Sequence, residues 1–196
     1  MASGEQIRNG IFSLYTRRFG SVAEIMIQKL LAFKKGLNQF HDLYDPHQAL
    51  RVEVKFSRGQ RKEDSINEEN VLQVLENVSD FTSRMFPSTE WHKNKFDCNI
   101  QQVKPSEFDL LYYGVFFSDV VVIFKLTPDD LTKAINYSNK QHKGNVGEGQ
   151  FHLNNKTYEF HLENFFDQKL TYEELGEILK FHSDEESNVK IVHSGK

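Results

Sequence analysis

The sequence has little of what braces a small protein from outside. One of its 196 residues is cysteine, Cys98, and four are proline. A single cysteine excludes an intrachain disulfide and a cysteine-based zinc site within one chain. It predicts a reducing compartment such as the cytoplasm. A lone nucleophile at Cys98 is the less favoured use of it. No apolar run approaches the ~20 residues that a membrane span needs. The first residues, Met-Ala-Ser-Gly-Glu-Gln, lack a basic stretch followed by an apolar one, so no secretory signal is expected. No Gly/Ser/Pro-rich linker divides the chain, and no internal repeat is evident.

Aromatics, by contrast, are abundant: 13% of residues, with 17 Phe, too rich for a disordered chain. The length suits one core, so residues 1–182 read as a single domain and 183–196 as a polar tail. The formal net charge is −4. That average conceals an asymmetry. Residues 1–62 hold 11 Lys/Arg against 5 Asp/Glu, and residues 63–196 hold 13 against 23. A basic front third is compatible with an anionic partner on one side.

Apolar spacing predicts a helix over 7–18, an interruption at Gly20-Ser21, and a second helix capped by Ser21 and running to about Lys35. A short strand over 40–44, a turn at Asp45-Pro46-His47-Gln48 and a strand over 50–57 follow. Alternation in the second strand sets Arg51, Glu53, Lys55 and Ser57 on one face and Val52, Val54 and Phe56 on the other. A helix is expected over 67–78, and a strand over 99–104. The runs 108–117 and 120–126 are almost wholly apolar, as in central strands covered on both faces. Thr127-Pro128-Asp129-Asp130 starts a helix to about Ser138, and 151–162 resembles a hairpin with Asn154-Asn155 at its tip. Thr171 and Glu174 form a capping-box pattern for a last helix to Lys180. The mixed order predicts an α/β (α+β) fold with a mixed central sheet flanked by helices.

The chemistry concentrates in residues 40–55. With the turn at 45–48, Tyr44 faces Ala49 and Asp42 faces Arg51, so Asp42, Glu53 and Lys55 share one surface. A slip of one residue would send Asp42 to the other face. Two carboxylates suit Mg²⁺, which takes only one or two from a protein. The ion polarises a phosphoryl oxygen, and a neighbouring lysine can orient water or stabilise the charge developing on phosphate.

An acid at a strand end, a turn, then Glu-x-Lys on the next strand resembles the PD-(D/E)XK nuclease superfamily. The signature residues here are Asp42, Glu53 and Lys55. The resemblance spans residues 10–135 and is greatest to type II restriction endonucleases. It implies a restriction-endonuclease-like sheet, hydrolysis of phosphodiester bonds in double-stranded DNA with one or two Mg²⁺, 5′-phosphate products, and a homodimer on a palindromic site. It further implies that Glu24, on the preceding helix, joins Asp42 and Glu53 at the metal. The pattern departs at His41, where the family has proline. Asp45 competes for the first acid, and Gln102-Val103-Lys104 is a displaced version of the second half.

Around this set lie candidate DNA contacts. Arg51, Arg58, Arg61 and Lys62, with Lys55, form a basic cluster able to track phosphates. The Gly-rich segment 141–152 offers Lys143, Asn145, Gln150 and His152 to base edges. Two other function classes compete with restriction. One is a structure-specific repair or recombination nuclease on the same core. The other is a non-catalytic nucleic-acid-binding module.

Overall fold

The computed structural model describes residues 2–63, 65–76, 81–133, 137–140 and 146–180. Helix α1 spans Gly4–Ser13 and α2 spans Thr16–Leu30. The break between them falls at Leu14 and Tyr15, both extended (ψ 144° and 154°), and not at Gly20-Ser21. Ser21 sits inside α2, where its hydroxyl donates back to the Arg17 carbonyl. A serine can thus be absorbed within a helix when a tertiary contact sets the break elsewhere. That contact is Arg58. Its Nη1 donates to the carbonyls of Phe12 and Leu14 at 2.7 and 2.8 Å, satisfying acceptors that the end of α1 leaves open.

Strand β1 (Lys34–Lys35), β2 (Leu43–Asp45) and β3 (Leu50–Arg58) run antiparallel in series. After α3 (Val71–Glu76) come β4 (Asp97–Val103), β5 (Leu110–Phe116) and β6 (Val120–Leu126). Then follow β7 (Ser138–Lys140), β8 (Val146–Asn154), α4 (Tyr158–Phe165), β9 (Phe166–Thr171) and α5 (Tyr172–Lys180). Among the described residues, one sheet has the order β1-β2-β3-β5-β6-β9, and a second has β4-β8-β7. The β3–β5 pair is parallel and the others in the large sheet are antiparallel, so the fold is mixed α+β as expected.

Every residue of β5 is buried, and β6 is nearly so, which suits the continuous apolar runs. Val52, Val54, Tyr112, Phe116, Val121 and Ile123 pack towards α1, α2 and α5. Tyr113, Val115, Phe117, Val122 and Phe124 pack the other way, against Cys98, Ile100, Phe151 and Leu153 of the small sheet and against α4. Cys98 is enclosed there, and burial pushes its thiol up to about 12, so it is not a nucleophile.

Two expectations fail beyond residue 127. The Thr127 start does form, with Asp130 accepting from the Thr127 amide and hydroxyl, but it opens a short 3₁₀ turn over Pro128–Lys133, and Ser138 lies in β7. The expected hairpin over 151–162 is β8 followed by α4. Asn154 ends the strand by accepting from the Lys156 amide, and helix α4 then buries Tyr158, His161 and Phe165 at a spacing of three and four. The strand β9 was missed because it joins helix to helix without turn residues. The Thr171–Glu174 capping box is present at the start of α5, with reciprocal bonds of 2.7 and 3.2 Å.

Candidate active site

The β2–β3 register decides the site. Asp45 faces Leu50, Tyr44 faces Arg51 and Leu43 faces Val52, a slip of two residues from the expected pairing. The turn holds four residues, because Asp45 Oδ1 accepts from the amides of His47 and Gln48, and Ala49 closes it in the left-handed region (φ 57°). A two-residue slip preserves the face. Asp42 therefore stays on the side of Glu53 and Lys55, and comes nearer to Glu53 than expected. Asp45 is buried and engaged in the turn, away from the other acids.

Strand β2 begins at Leu43, and the Asp42 carboxylate takes the position of the ladder just before it. Its Oδ2 accepts from the Val54 amide at 2.9 Å. Lys55 Nζ contacts Glu53 Oε1 and lies 3.8 Å from Asp42 Oδ2. The three side chains line a pocket of about 230 Å³ with Gln102, Lys104, Glu107 and Glu148. Lys104 is held there between Glu107 and Glu148, at 3.5 and 3.6 Å. Glu107 and Glu148 were not anticipated, since each is distant in sequence from the Glu-x-Lys strand.

The electrostatics bind this group together. Burial raises the Glu53 carboxyl to about 7, against the pull of Lys55 and with a further push from Asp42. Burial works against charge on Lys55, but Glu53 and Asp42 outweigh it and hold its ammonium above the ordinary value. Glu24, on α2, is raised by burial and then by Asp42, so it lies within the field of the same group. Asp42, Glu53 and Lys55 are thus brought together, and Glu24 lies close enough to feel their charge.

Among the described residues, no three acid, His or Cys side chains already stand as a metal cage. Mg²⁺ does not require one, because one or two carboxylates and several waters suffice. The donor chemistry of Asp42 and Glu53 fits that demand, and desolvated carboxylates crowded around one lysine have charge left to neutralise.

A second cavity, of about 840 Å³, adjoins this pocket and shares Lys55 and Gln102 with it. Arg61, Lys62, Arg84, Asn99 and Gln101 line it too. Arg61 is steadied by Asn94 Oδ1 (2.6 Å) and the Ser83 carbonyl (3.0 Å). Arg84 was missed because residues 80–96 read as irregular, and only folding brings it beside Arg61.

Other candidates are engaged in contacts within the protein, Arg58 while also lining the large cavity. Arg51 grips Asp109 through Nε and Nη2, at 3.0 and 2.8 Å. Arg58 turns inward to α1 and stacks over Phe19. Parity held the clue, since Arg58 shares the face of Val54 and Phe56 and not that of Lys55. Gln150 accepts from Asn99 at 3.3 Å, and His152 Nδ1 is 2.7 Å from Asp97. Lys143 and Asn145 lie outside the described residues.

No helix among the described residues is long and apolar enough to cross a membrane. The chain matches no protein-family model and no curated protein.

Proposed function

We propose that this chain is a Mg²⁺-dependent endonuclease of double-stranded DNA, of the type II restriction kind, working as a homodimer in a prokaryotic cytoplasm. The observation that carries the reading is the junction at Lys55, where Asp42 and Glu53 meet beside a cleft lined by Arg61, Lys62 and Arg84. Acids that hold a cation and bases that hold phosphates are then neighbours, as phosphodiester hydrolysis requires.

Asp42 and Glu53 would hold the ion, with Glu24 adding negative potential from α2. Bound Mg²⁺ supplies polarisation of a phosphoryl oxygen and acidification of water. Lys55, in contact with Glu53 and 3.8 Å from Asp42, would serve as the cation of the site. It donates to water or to the phosphate as charge develops there. The cleft residues track the backbone and position the duplex without reading sequence.

The test is incubation of diverse supercoiled and linear DNA, methylated and unmethylated, with Mg²⁺. Discrete fragments with 5′-phosphate ends support the reading. Absence of cleavage on every substrate overturns it, as does full-rate cleavage by Lys55→Ala. Preference for synthetic junctions over intact duplex would favour the repair reading. Sedimentation of the protein alone and with a palindromic duplex tests the dimer.

A further inference from the structure

Strand β4 carries an irregularity where the two cavities meet. Ile100 pairs with Phe151 and Val103 pairs with Gly149, so three steps on β4 oppose two on β8. The extra residue makes a β-bulge at Gln101–Gln102. Strict alternation after buried Cys98 and Ile100 would bury position 102 and expose position 103. Instead Val103 is buried, and two consecutive glutamines face outward. Bulges re-aim side chains in this way and recur beside active sites.

The bend has a conformational penalty. Gln102 adopts φ 58°, in the left-handed region that glycine enters freely and a residue with a Cβ does not. A glycine would make the same bend without strain, so the backbone does not account for glutamine here. Position does. Lys55 and Gln102 are the two residues that line both the carboxylate pocket and the basic cleft. The nearby Lys104 faces Glu107 and Glu148. A carboxamide is different: it donates without a charge for the surrounding carboxylates to capture, and it also accepts.

We propose that Gln102 is a substrate-binding residue. Its amide NH₂ donates to a non-bridging oxygen of the phosphodiester seated at this junction, across from Lys55. The bulge is the device that brings the amide there. The inference rests on the nuclease reading and extends it to a residue on the second sheet.

The experiment compares wild type, Gln102→Ala and Gln102→Gly in single-turnover cleavage with Mg²⁺, duplex affinity with Ca²⁺, and thermal melting. Loss of a donor to the reacting phosphate lowers the cleavage rate on the order of 100-fold. Duplex affinity changes far less, because the contact is one of many along the backbone. Gln102→Gly melts above Gln102→Ala, since it relieves the left-handed residue, yet both lose the same rate. That split between stability and rate is what a purely structural role would not give. Wild-type cleavage with either variant within about twofold of it overturns the assignment and leaves the nuclease reading intact. A rate that tracks melting temperature across the variants also overturns it. If wild type itself cleaves no DNA, the nuclease reading falls and takes this inference with it.

Discussion

Lys55 bridges two carboxylates: its ammonium contacts Glu53 on β3 and stands 3.8 Å from Asp42, the residue just before β2. The side chains are 25%, 12% and 24% exposed for Lys55, Glu53 and Asp42. The lysine therefore neutralises acids that water reaches poorly.

Removing that lysine leaves Asp42 and Glu53 without the cation that pairs them, with Glu24 still in the field of Asp42. Lys55→Ala is expected to lose about 1.5–3 kcal/mol of stability, the scale of a hydrogen bond to a charged group. A divalent cation should then restore more stability to the variant than it adds to wild type. Thermal melts with and without Ca²⁺ read this directly. Equal shifts in the two proteins would show that the acids do not share a cation site.

Arg58 and Lys62 lie four residues apart and should behave oppositely. Arg58→Ala removes the bonds to Phe12 and Leu14 that hold the end of α1. It should cost about 1.5–3 kcal/mol in urea unfolding and leave the salt dependence of DNA binding unchanged. Lys62→Ala should leave stability within about 0.5 kcal/mol of wild type. It should reduce the slope of log affinity against log salt by about 1. The reverse pattern would reassign Arg58 to DNA.

His161 predicts a pH dependence of folding. It is fully buried, its Nδ1 is 2.8 Å from the Tyr113 hydroxyl oxygen, and burial lowers its pKa to about 4. The unfolded chain binds a proton near pH 6.5 and the folded chain only near 4, so stability is complete above 6.5 and declines as pH falls towards 4. This group alone should remove about 2 kcal/mol between pH 7.5 and 5. Urea titrations of wild type and His161→Gln at both pH values measure it. An undiminished pH effect in the variant would exclude His161 as its source.

Gly114 lies in the middle of β5, where a Cβ would come within 2.1 Å of the Val122 carbonyl oxygen and 2.6 Å of the Phe56 ring. Gly114→Ala should cost about 1–3 kcal/mol through overpacking, although alanine is the smallest possible addition. The denaturation midpoint checks it, and a neutral outcome would mean that β5 and β6 can separate locally.

Much of this fold was legible because the relevant signals are local. Alternation in Arg51–Lys55 put Glu53 and Lys55 on one face, and unbroken apolar runs marked β5 and β6 as central. Thr171 and Glu174 named a helix start. The triad Asp42, Glu53 and Lys55 was readable for the same reason, since a tight hairpin joins neighbouring residues. The sequence could not supply what depends on partners far along the chain. The break between α1 and α2 is set by Arg58, more than 40 residues away. The true register of β2 on β3 follows from an Asp45-anchored turn over 46–49, one residue beyond the expected one, which slips the pairing by two. Glu107, Glu148, Arg84 and Gln102 reach the site only because the second sheet folds against the first. Short-range periodicity determines which face a side chain takes, because backbone geometry repeats every two or 3.6 residues. Which faces then meet depends on the packing of two sheets and on one bulged strand, and only the tertiary structure decided that.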